Sequence, residues 1–278
     1  MTHHVALQFA ASTDAGKVRG HNEDAIQLDE AQGIAVLADG MGGYNAGEIA
    51  SGIAVTAFTA SLTQRLEQAQ GARRALGSRM LERMLSASVE AANEAILAAA
   101  ASQPEFSGMG TTLVAALFHA GRIVVAHLGD SRAYRFRQGV LTQLTRDHSQ
   151  LQEQIDAGLV SPEWARFAPN KNLITRALGV VSKVNVETGV HAIEEGDVYL
   201  LCSDGLSDML SAGQIADLLA QEADLDASCA ALVDAANDNG GRDNISVILA
   251  RVGVIDIPEP LTLRDRWLRW LGSCMPEK

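Results

Sequence analysis

The stretch Val36-Leu37-Ala38-Asp39-Gly40-Met41-Gly42-Gly43 decides the fold, because it runs from an apolar strand directly into an acid and three glycines. The run from Gly33 to Ala38 has the length and apolarity of a buried strand, so Asp39 lies where that strand reaches the surface. Glycines let a ligand approach the backbone closely, and an acid followed by bare carbonyls suits a hard cation. A tight turn is the alternative, since Asp-Gly is a common turn pair.

The composition indicates an acidic, soluble protein with a full core. Of its 278 residues 47% are hydrophobic and 20% charged, and 22 basic against 34 acidic residues give a net charge of −12. Such a surface disfavours nucleic acids and anionic membranes as main partners. The sequence shows no signal peptide and no membrane-spanning run. Cys202, Cys229 and Cys274 have no metal or redox spacing and suggest a reducing compartment, so we expect a cytoplasmic protein.

Hydrophobic periodicity predicts a strand-rich chain with two separated pairs of helices. Strands are predicted at residues 5–12, 25–29, 33–38, 111–118, 122–128, 133–137, 140–144, 184–191, 197–203 and 245–252. Helices are predicted at residues 46–66, 72–101, 213–222 and 226–237, with a short one at 150–157 inside the irregular segment 145–172. This order excludes a simple strand–helix alternation. It favours two largely antiparallel sheets packed face to face, with helices on their outer faces.

Four aspartates lie beside glycines, mostly where an apolar run begins or ends: Asp39, Asp130, Asp204 and Asp243. Each alone is more often a turn residue, but four at the ends of core strands favour convergence. Converging aspartates repel one another and need cations, and oxygen ligands select Mg²⁺ or Mn²⁺ over zinc. Two such ions can share a carboxylate and activate a water for in-line attack on phosphorus, while Arg19 holds phosphate oxygens.

Seven segments, in order, resemble the metal-dependent type-2C Ser/Thr protein phosphatases of the bacterial branch. They are Arg19–Asp24, Asp39–Gly43, Gly108–Thr112, Gly129–Arg132, Thr175–Gly179, Ser203–Leu206 and Gly241–Asn244. One such match would be weak evidence, whereas seven in the order of the family, across residues 5–252, are specific.

The resemblance implies an α+β fold, a four-layer αββα sandwich of two antiparallel sheets flanked by helices. It also implies a centre of two Mn²⁺ or Mg²⁺ ions at one edge of the sandwich. There, Asp39 would bridge both ions and the carbonyl of Gly40 would bind one of them. Asp204 and Asp243 would hold the other ion.

Other site residues follow from the same resemblance. Glu23 and Asp24 would lie near the ions and act mostly through bound waters. Asp130 would form a third, weaker metal site with Asp204, and Arg19 would bind the substrate phosphate. The segment at about 145–172 would be a flap that influences substrate choice and metal occupancy.

The activity implied is hydrolysis of phosphoserine and phosphothreonine in proteins, opposing a bacterial Ser/Thr kinase. The partners would be phosphorylated proteins, among them such a kinase and its substrates, and we expect a monomer. A catalytically silent phosphoprotein-binding member is a second hypothesis, which the presence of Asp39, Asp204 and Asp243 argues against. A third is the related branch that acts on sigma-pathway regulators, whose usual sensor or membrane segments this sequence lacks.

One position departs from the eukaryotic members, which carry a histidine after the Asp-Gly pair as a proposed proton donor. Met41 stands there, and a thioether cannot donate a proton. Our hypothesis is that a metal-bound water or His21 takes this role. By contrast, we interpret His127 as a hydrogen-bonded core residue and His148 as structural.

We expect residues 1–254 to form the phosphatase domain and residues 255–278 to form a Pro-containing linker and an amphipathic tail. In the tail, Leu263, Trp267, Trp270 and Leu271 share one face of a helix predicted to begin near Thr262. Docking on the domain is the plainest role for this face, because exposed tryptophans lower solubility. Binding a partner and contact with a membrane surface stay open.

Overall fold

Two antiparallel sheets form the centre of the protein, and helices cover the outer face of each. The computed structural model describes residues 5–42, 46–71, 76–161, 173–221 and 224–255. The strands are β1 (Val5–Asp14), β2 (Asp24–Asp29), β3 (Ile34–Met41), β4 (Gly110–Thr111), β5 (Leu113–His119), β6 (Arg122–Leu128), β7 (Arg132–Arg137), β8 (Val140–Gln143), β9 (Glu187–Ala192), β10 (Val198–Cys202) and β11 (Ile245–Ile255). The helices are α1 (Ala46–Gly71), α2 (Ser78–Ser102), α3 (Gln150–Asp156), α4 (Asp204–Ser207), α5 (Ala212–Gln221) and α6 (Leu225–Asp238), with a 3₁₀ turn at Pro104–Phe106.

The order of strands mixes near and distant parts of the chain. The first sheet has the order β1-β11-β10-β7-β8, and the second has the order β2-β3-β5-β6-β9 with β4 paired to β3. Every strand pair is antiparallel. The predicted αββα sandwich is therefore confirmed.

The side chains of β3 show why its sequence is apolar without interruption. Ile34, Val36 and Ala38 pack on the side of α1 and α2, whereas Ala35 and Leu37 face the other sheet. Because both faces are buried, a run of apolar residues replaces the alternation of a half-exposed strand.

Two further apolar layers attach the helices. Phe58 of α1 and Leu85 of α2 are fully buried against the second sheet, which confirms that these helices are a packing pair. On the opposite side, Ile215 of α5 and Leu232 of α6 are buried against the first sheet. Three apolar clusters, one between the sheets and one under each helix pair, thus hold four layers together.

The element boundaries differ from the predictions at a few places. The strand predicted to begin at residue 184 begins at Glu187, because Val184 and Val186 bury their side chains against the helix-side cluster without pairing their backbones. The last strand continues to Ile255 because it pairs with β1 along its length. The short helix α4, directly after Ser203, was not predicted.

Several predictions fall on residues outside the described ranges. They concern Gly43, the first residues of the helix predicted at 72–101, the flap beyond residue 161, Cys274 and the helical tail from Thr262 to Leu271. Within the described ranges, no helix is both long and apolar enough to cross a membrane.

Candidate metal centre

The four predicted aspartates come together at one end of the two sheets. Asp39 lies near the end of β3, Asp130 follows β6, Asp204 follows β10 and Asp243 precedes β11. Antiparallel pairing brings these positions to the same edge, where Asp24, the first residue of β2, lies opposite Asp39. The side chain of Ser203 joins the two sheets there, since its Oγ donates to Asp24 Oδ2 over 2.8 Å. The aspartates therefore converge because the register of the antiparallel strands places their ends at the same edge.

The pKa values of these carboxyls show how strongly they interact. Loss of solvation raises the pKa of Asp39 well above its ordinary value, and the charges of Asp24, Asp204, Asp130 and Asp243 raise it further. The pKa of Asp204 is raised in the same way, by lost solvation first and then by Asp130 and other acids. The pKa values of Asp24 and Asp130 are raised to about 6, again chiefly by lost solvation. The centre therefore holds negative charge at a cost that a cation would relieve.

Two buried carboxylate oxygens at this centre have no hydrogen-bond donor among the described residues. Asp24 Oδ1 and Asp130 Oδ1 are buried, and no hydrogen bond from the described part of the chain reaches either atom. Buried carboxylate oxygens without donors are rare and costly unless an ion or water satisfies them. A set of carboxylates whose charges act on one another, with oxygen as the donor atom throughout, fits a hard divalent cation such as Mg²⁺ or Mn²⁺.

The backbone around Asp39 is fixed from several sides. The carbonyl of Asp39 accepts from Thr112 N over 2.9 Å and from Thr111 Oγ1 over 2.8 Å. The N–H of Asp39 donates to Thr112 Oγ1 over 3.1 Å. Gly40 has no room for a side chain, because a Cβ would overlap the carbonyls of Gly47 and Glu23. The chain that carries Asp39 is thus held rigidly at its position.

Arg19 lies at the rim of the same cluster, where its Nη2 donates to Asp243 Oδ2 over 2.7 Å. About half of its side chain is exposed, which leaves donors available to a ligand from solvent. The loop that carries Arg19 is held by Asn244, whose Oδ1 accepts from Glu23 N over 2.8 Å. The Nδ2 of Asn244 donates to the carbonyls of Ala15 and His21, each over 3.0 Å.

Comparisons with known proteins agree with this geometry. The sequence profile of the family described as Protein phosphatase 2C matches residues 17–250. The serine/threonine phosphatase stp of Listeria innocua is 38% identical over 240 residues, which are 85% of this chain and 92% of that protein. The chain belongs to the protein phosphatase 2C family.

Other relatives place it within the bacterial members. The serine/threonine protein phosphatase PstP of Mycobacterium tuberculosis is 39% identical over 248 residues, covering 89% of this chain and 45% of that protein. The crystal structure of the catalytic domain of PstP, in complex with two manganese ions, has a TM-score of 0.78 at 38% identity and covers 90% of this chain and all of that one. Stp1 of Staphylococcus aureus has a TM-score of 0.81 at 33% identity, over 91% of this chain and 98% of that one. The curated relatives named here are serine/threonine phosphatases, and this chain is a phosphatase of their type.

The structure of this phosphatase 2C also shows residues that the sequence analysis missed. Asp208 raises the pKa values of Asp204 and Asp130 by its charge, so it belongs to the cluster. Its position four residues after Asp204, one turn along a helix, was the available signal. Asp147 raises the pKa of Asp130 as well, and it accepts from the guanidinium of Arg132 at 2.6 to 3.1 Å.

The histidines are placed as follows. His21 is half exposed, and its Nε2 lies 3.1 Å from Glu23 Oε1 at the edge of the cluster. His127 is buried with its Nε2 2.8 Å from the carbonyl of Arg146, which confirms a hydrogen-bonded core residue. The ring of His148 stacks on that of His127 with centroids 4.8 Å apart. Burial lowers the pKa values of His127 and His148, so both rings are neutral near pH 7.

Replacing one acid of the cluster tests the repulsion directly. In protein stripped of metal with a chelator, we expect Asp130→Asn to raise the free energy of unfolding at pH 7.5 by about 1–3 kcal/mol, because the variant removes a buried charge. The cost of that charge is present above the raised pKa of about 6 and is lost as the pH falls toward the ordinary value of 3.8. The difference in free energy of unfolding between Asp130→Asn and wild type should therefore shrink between pH 6 and pH 4, as measured by urea unfolding.

Asp217→Asn, on the exposed face of α5, is the matched control and should change stability by less than about 0.5 kcal/mol. A gain for Asp130→Asn that is absent at pH 7.5, or equally large at pH 4, would contradict the interpretation.

Proposed function

We propose that this phosphatase hydrolyses phosphoserine and phosphothreonine in proteins with the help of two divalent ions, Mn²⁺ or Mg²⁺, held at the aspartate cluster. The observation that carries the proposal is the convergence of Asp39, Asp204 and Asp243 beside Arg19, with raised pKa values at Asp39 and Asp204. Beside them, Asp24 and Asp130 each have a buried oxygen that no donor of the described residues satisfies. The manganese bound to the catalytic domain of PstP supports the same choice of metal.

Each acid has a distinct part in holding the ions. Asp39 would bind both ions and the carbonyl of Gly40 would bind one, while Asp204 and Asp243 would bind the other. Glu23 and Asp24 would lie around them and hold ordered waters. Bound ions of this kind lower the pKa of water, orient it for attack and neutralise charge that develops on phosphoryl oxygens.

A third, weaker site would lie at Asp130 and Asp204. The unsatisfied Oδ1 of Asp130 and the interaction of its charge with Asp208 support this assignment. Asp208 would then be a further acid of that site, since its charge also acts on Asp204.

The residues around the ions position the phosphate group of the substrate, whereas the ions activate the attacking water. Arg19 would hold two phosphoryl oxygens with its guanidinium and place phosphorus in line with the attacking oxygen. Asn244 keeps the Arg19 loop at its distance from the acids through its three hydrogen bonds to residues 15–23. When substrate binds, the phosphate would compete with Asp243 for the guanidinium of Arg19.

The same assignment suggests the extent of the catalytic domain and the kind of partner it acts on. We propose that residues 1–254 form the phosphatase domain, in agreement with the profile match to residues 17–250. The partners would be phosphorylated proteins in the cytoplasm, among them a Ser/Thr kinase and its substrates, and the enzyme would act as a monomer. The acidic surface, with a net charge of −12, supports substrates other than nucleic acids.

Phosphate release from a phosphothreonine peptide tests the activity. We expect turnover with Mn²⁺ or Mg²⁺, none with a chelator, and a loss of at least about 10³-fold in Asp39→Asn, because that variant removes the ligand common to both ions. Asp217→Asn is the matched control and should keep the wild-type rate. Turnover that survives the chelator, or an Asp39→Asn variant as fast as the wild type, would refute the metal mechanism.

Arg19 should matter for the substrate more than for the fold. We expect Arg19→Ala to lower kcat/KM by about 10- to 100-fold, the range of a lost charge-assisted hydrogen bond. Arg19→Lys should recover only part of the loss, since an ammonium cannot make the forked contact. Steady-state kinetics of both variants, with Arg79→Ala on the exposed face of α2 as the control, provide the measurement. Equal kinetics for Arg19→Ala and wild type would remove Arg19 from the site.

His21 is the candidate proton donor that stands in for the histidine absent at Met41. Its Nε2 lies 3.1 Å from Glu23, so its ring lies beside the acids rather than among them. If it protonates the leaving group, His21→Ala should lower kcat and change the pH–rate profile. An unchanged rate and profile would leave a metal-bound water as the donor.

A further inference from the structure

His148 is a buried residue that forms hydrogen bonds with three separate parts of the chain. Its backbone N–H donates to Gly129 O over 2.9 Å, and its ring Nδ1 accepts from Gly129 N over 3.1 Å. Its carbonyl accepts from Thr175 N over 2.8 Å. Its Nε2 lies 3.3 Å from Glu187 Oε2 and 3.1 Å from Arg176 Nη1. One side chain thus contacts the loop before Asp130, the segment at 175–176 and strand β9.

These contacts fix the orientation of the His148 ring. The N–H of Gly129 can only donate, so Nδ1 is the acceptor of that hydrogen bond. Nε2 lies between the carboxylate of Glu187 and the guanidinium of Arg176. The ring is therefore oriented by a carboxylate on one side and by a backbone amide on the other.

The cluster of His127, His148 and Glu187 offers three ligand atoms within 4.8 Å of one another. The geometry nevertheless opposes a metal ion there. The two imidazole planes are only 6° from parallel in a stacked pair, so their in-plane lone pairs cannot meet at one point. In addition, two of the ring nitrogens already have hydrogen-bond partners. His127 Nε2 is hydrogen-bonded to the carbonyl of Arg146, and His148 Nδ1 accepts from the N–H of Gly129. Hydrogen bonding, rather than metal binding, explains these residues.

The loop that His148 holds is the one that carries Asp130. Gly129 has a φ of +108°, and a Cβ on it would lie 2.6 Å from Thr112 Cγ2, so the loop is pressed against Thr112. On the other side of Asp130, Ser131 Oγ lies 2.7 Å from Thr112 Oγ1. Asp130 Oδ1 receives no hydrogen bond from the described residues, so the placement of this carboxylate relies strongly on the backbone at 129–131. Thr112 and His148 both contact that backbone segment or its side chains.

We propose that His148 is the positioning residue of the Asp130 carboxylate, holding its loop through Nδ1 and tying it through Nε2 to Glu187 and the 175–176 segment. The proposal rests on the metal centre proposed above, because the consequence of a well-placed Asp130 is tighter binding at the weakest metal site. Residues that orient metal ligands commonly contribute 10- to 100-fold to affinity.

Two isosteric variants separate the two ends of the ring. His148→Asn keeps an acceptor near Nδ1 for Gly129 but loses the reach to Glu187. His148→Gln keeps a polar group near Nε2 but loses the acceptor for Gly129. We expect His148→Gln to raise the Kd of the weakest Mn²⁺ site by about 10-fold, measured by electron paramagnetic resonance of free Mn²⁺, and His148→Asn to stay within about 3-fold of wild type.

A second readout needs no metal at all. Hydrogen–deuterium exchange of the chelator-treated protein, followed in a peptide that covers residues 129–131, should accelerate at least about 10-fold in His148→Gln and little in His148→Asn. A general loss of stability would instead accelerate exchange across the protein and lower the urea midpoint. Should His148→Gln not fold, Glu187→Ala removes only the Glu187 partner of Nε2 at a half-exposed position and should weaken the Mn²⁺ site by a smaller factor.

A double-mutant cycle with Asp130→Asn completes the test. If His148 acts through Asp130, His148→Gln should add nothing to the loss of Mn²⁺ affinity in the Asp130→Asn background. Equal effects of His148→Gln and His148→Asn, or a His148→Gln effect that persists without Asp130, would overturn the proposal. A wild-type protein that binds no Mn²⁺ and releases no phosphate would instead refute the proposed function, so the two failures are distinguishable.

Discussion

Repulsion among the aspartates at one edge of the sandwich is the constraint on which the rest of the structure depends. Asp24, Asp39, Asp130 and Asp204 all have raised pKa values, with lost solvation as the first cause and the charges of neighbouring acids among the next. Such a cluster would separate on a pliable scaffold. Asp39 lies near the end of β3 and Asp204 follows β10, and the residues of these two strands are mostly buried, so moving either carboxylate would disturb the apolar layers. The core thus supplies the rigidity that keeps like charges together until cations neutralise them.

Neutral hydrogen-bond partners, more than cations of the chain, hold the acids in place. Ser203 donates to Asp24 and Thr112 accepts from the amide of Asp39, while Asn244 fixes the loop that carries Arg19. Hydroxyl and amide groups orient a carboxylate without neutralising it, so the charge stays available to a metal. Arg19 does pair with Asp243, but it does so at the exposed rim, where about half of its side chain faces solvent.

The sequence predicted the layers and the four acids beside glycines because both depend on local pattern. The continuous apolar run of β3 and the Asp39-Gly40 pair are visible in a few residues, and the order of seven segments identified the family. What it could not supply were relations between distant residues. Ser203 meets Asp24 across 179 positions, and Gly205 is required because a Cβ would overlap the carbonyl of Asn244 in another segment. Asp208 has no glycine neighbour and therefore lacks the local pattern of the other four acids. The apolar residues Val184 and Val186 fit a strand pattern, but they pack against the helix-side cluster without pairing their backbones.

Proposed metal ligands and the residues that support them therefore differ in how far the sequence alone identifies them. A proposed metal ligand such as Asp39 carries its signal in its own motif, since strand end, acid and glycine are contiguous. A supporting residue such as His148 carries none, because its role arises from Gly129 on one side and from Glu187 and Arg176 on the other. Its burial and its stacking on His127 would suit any core histidine, and only the reciprocal hydrogen bonds to Gly129 connect it with Asp130. The position of the loop that carries Asp130 thus depends on contacts that only the folded chain defines.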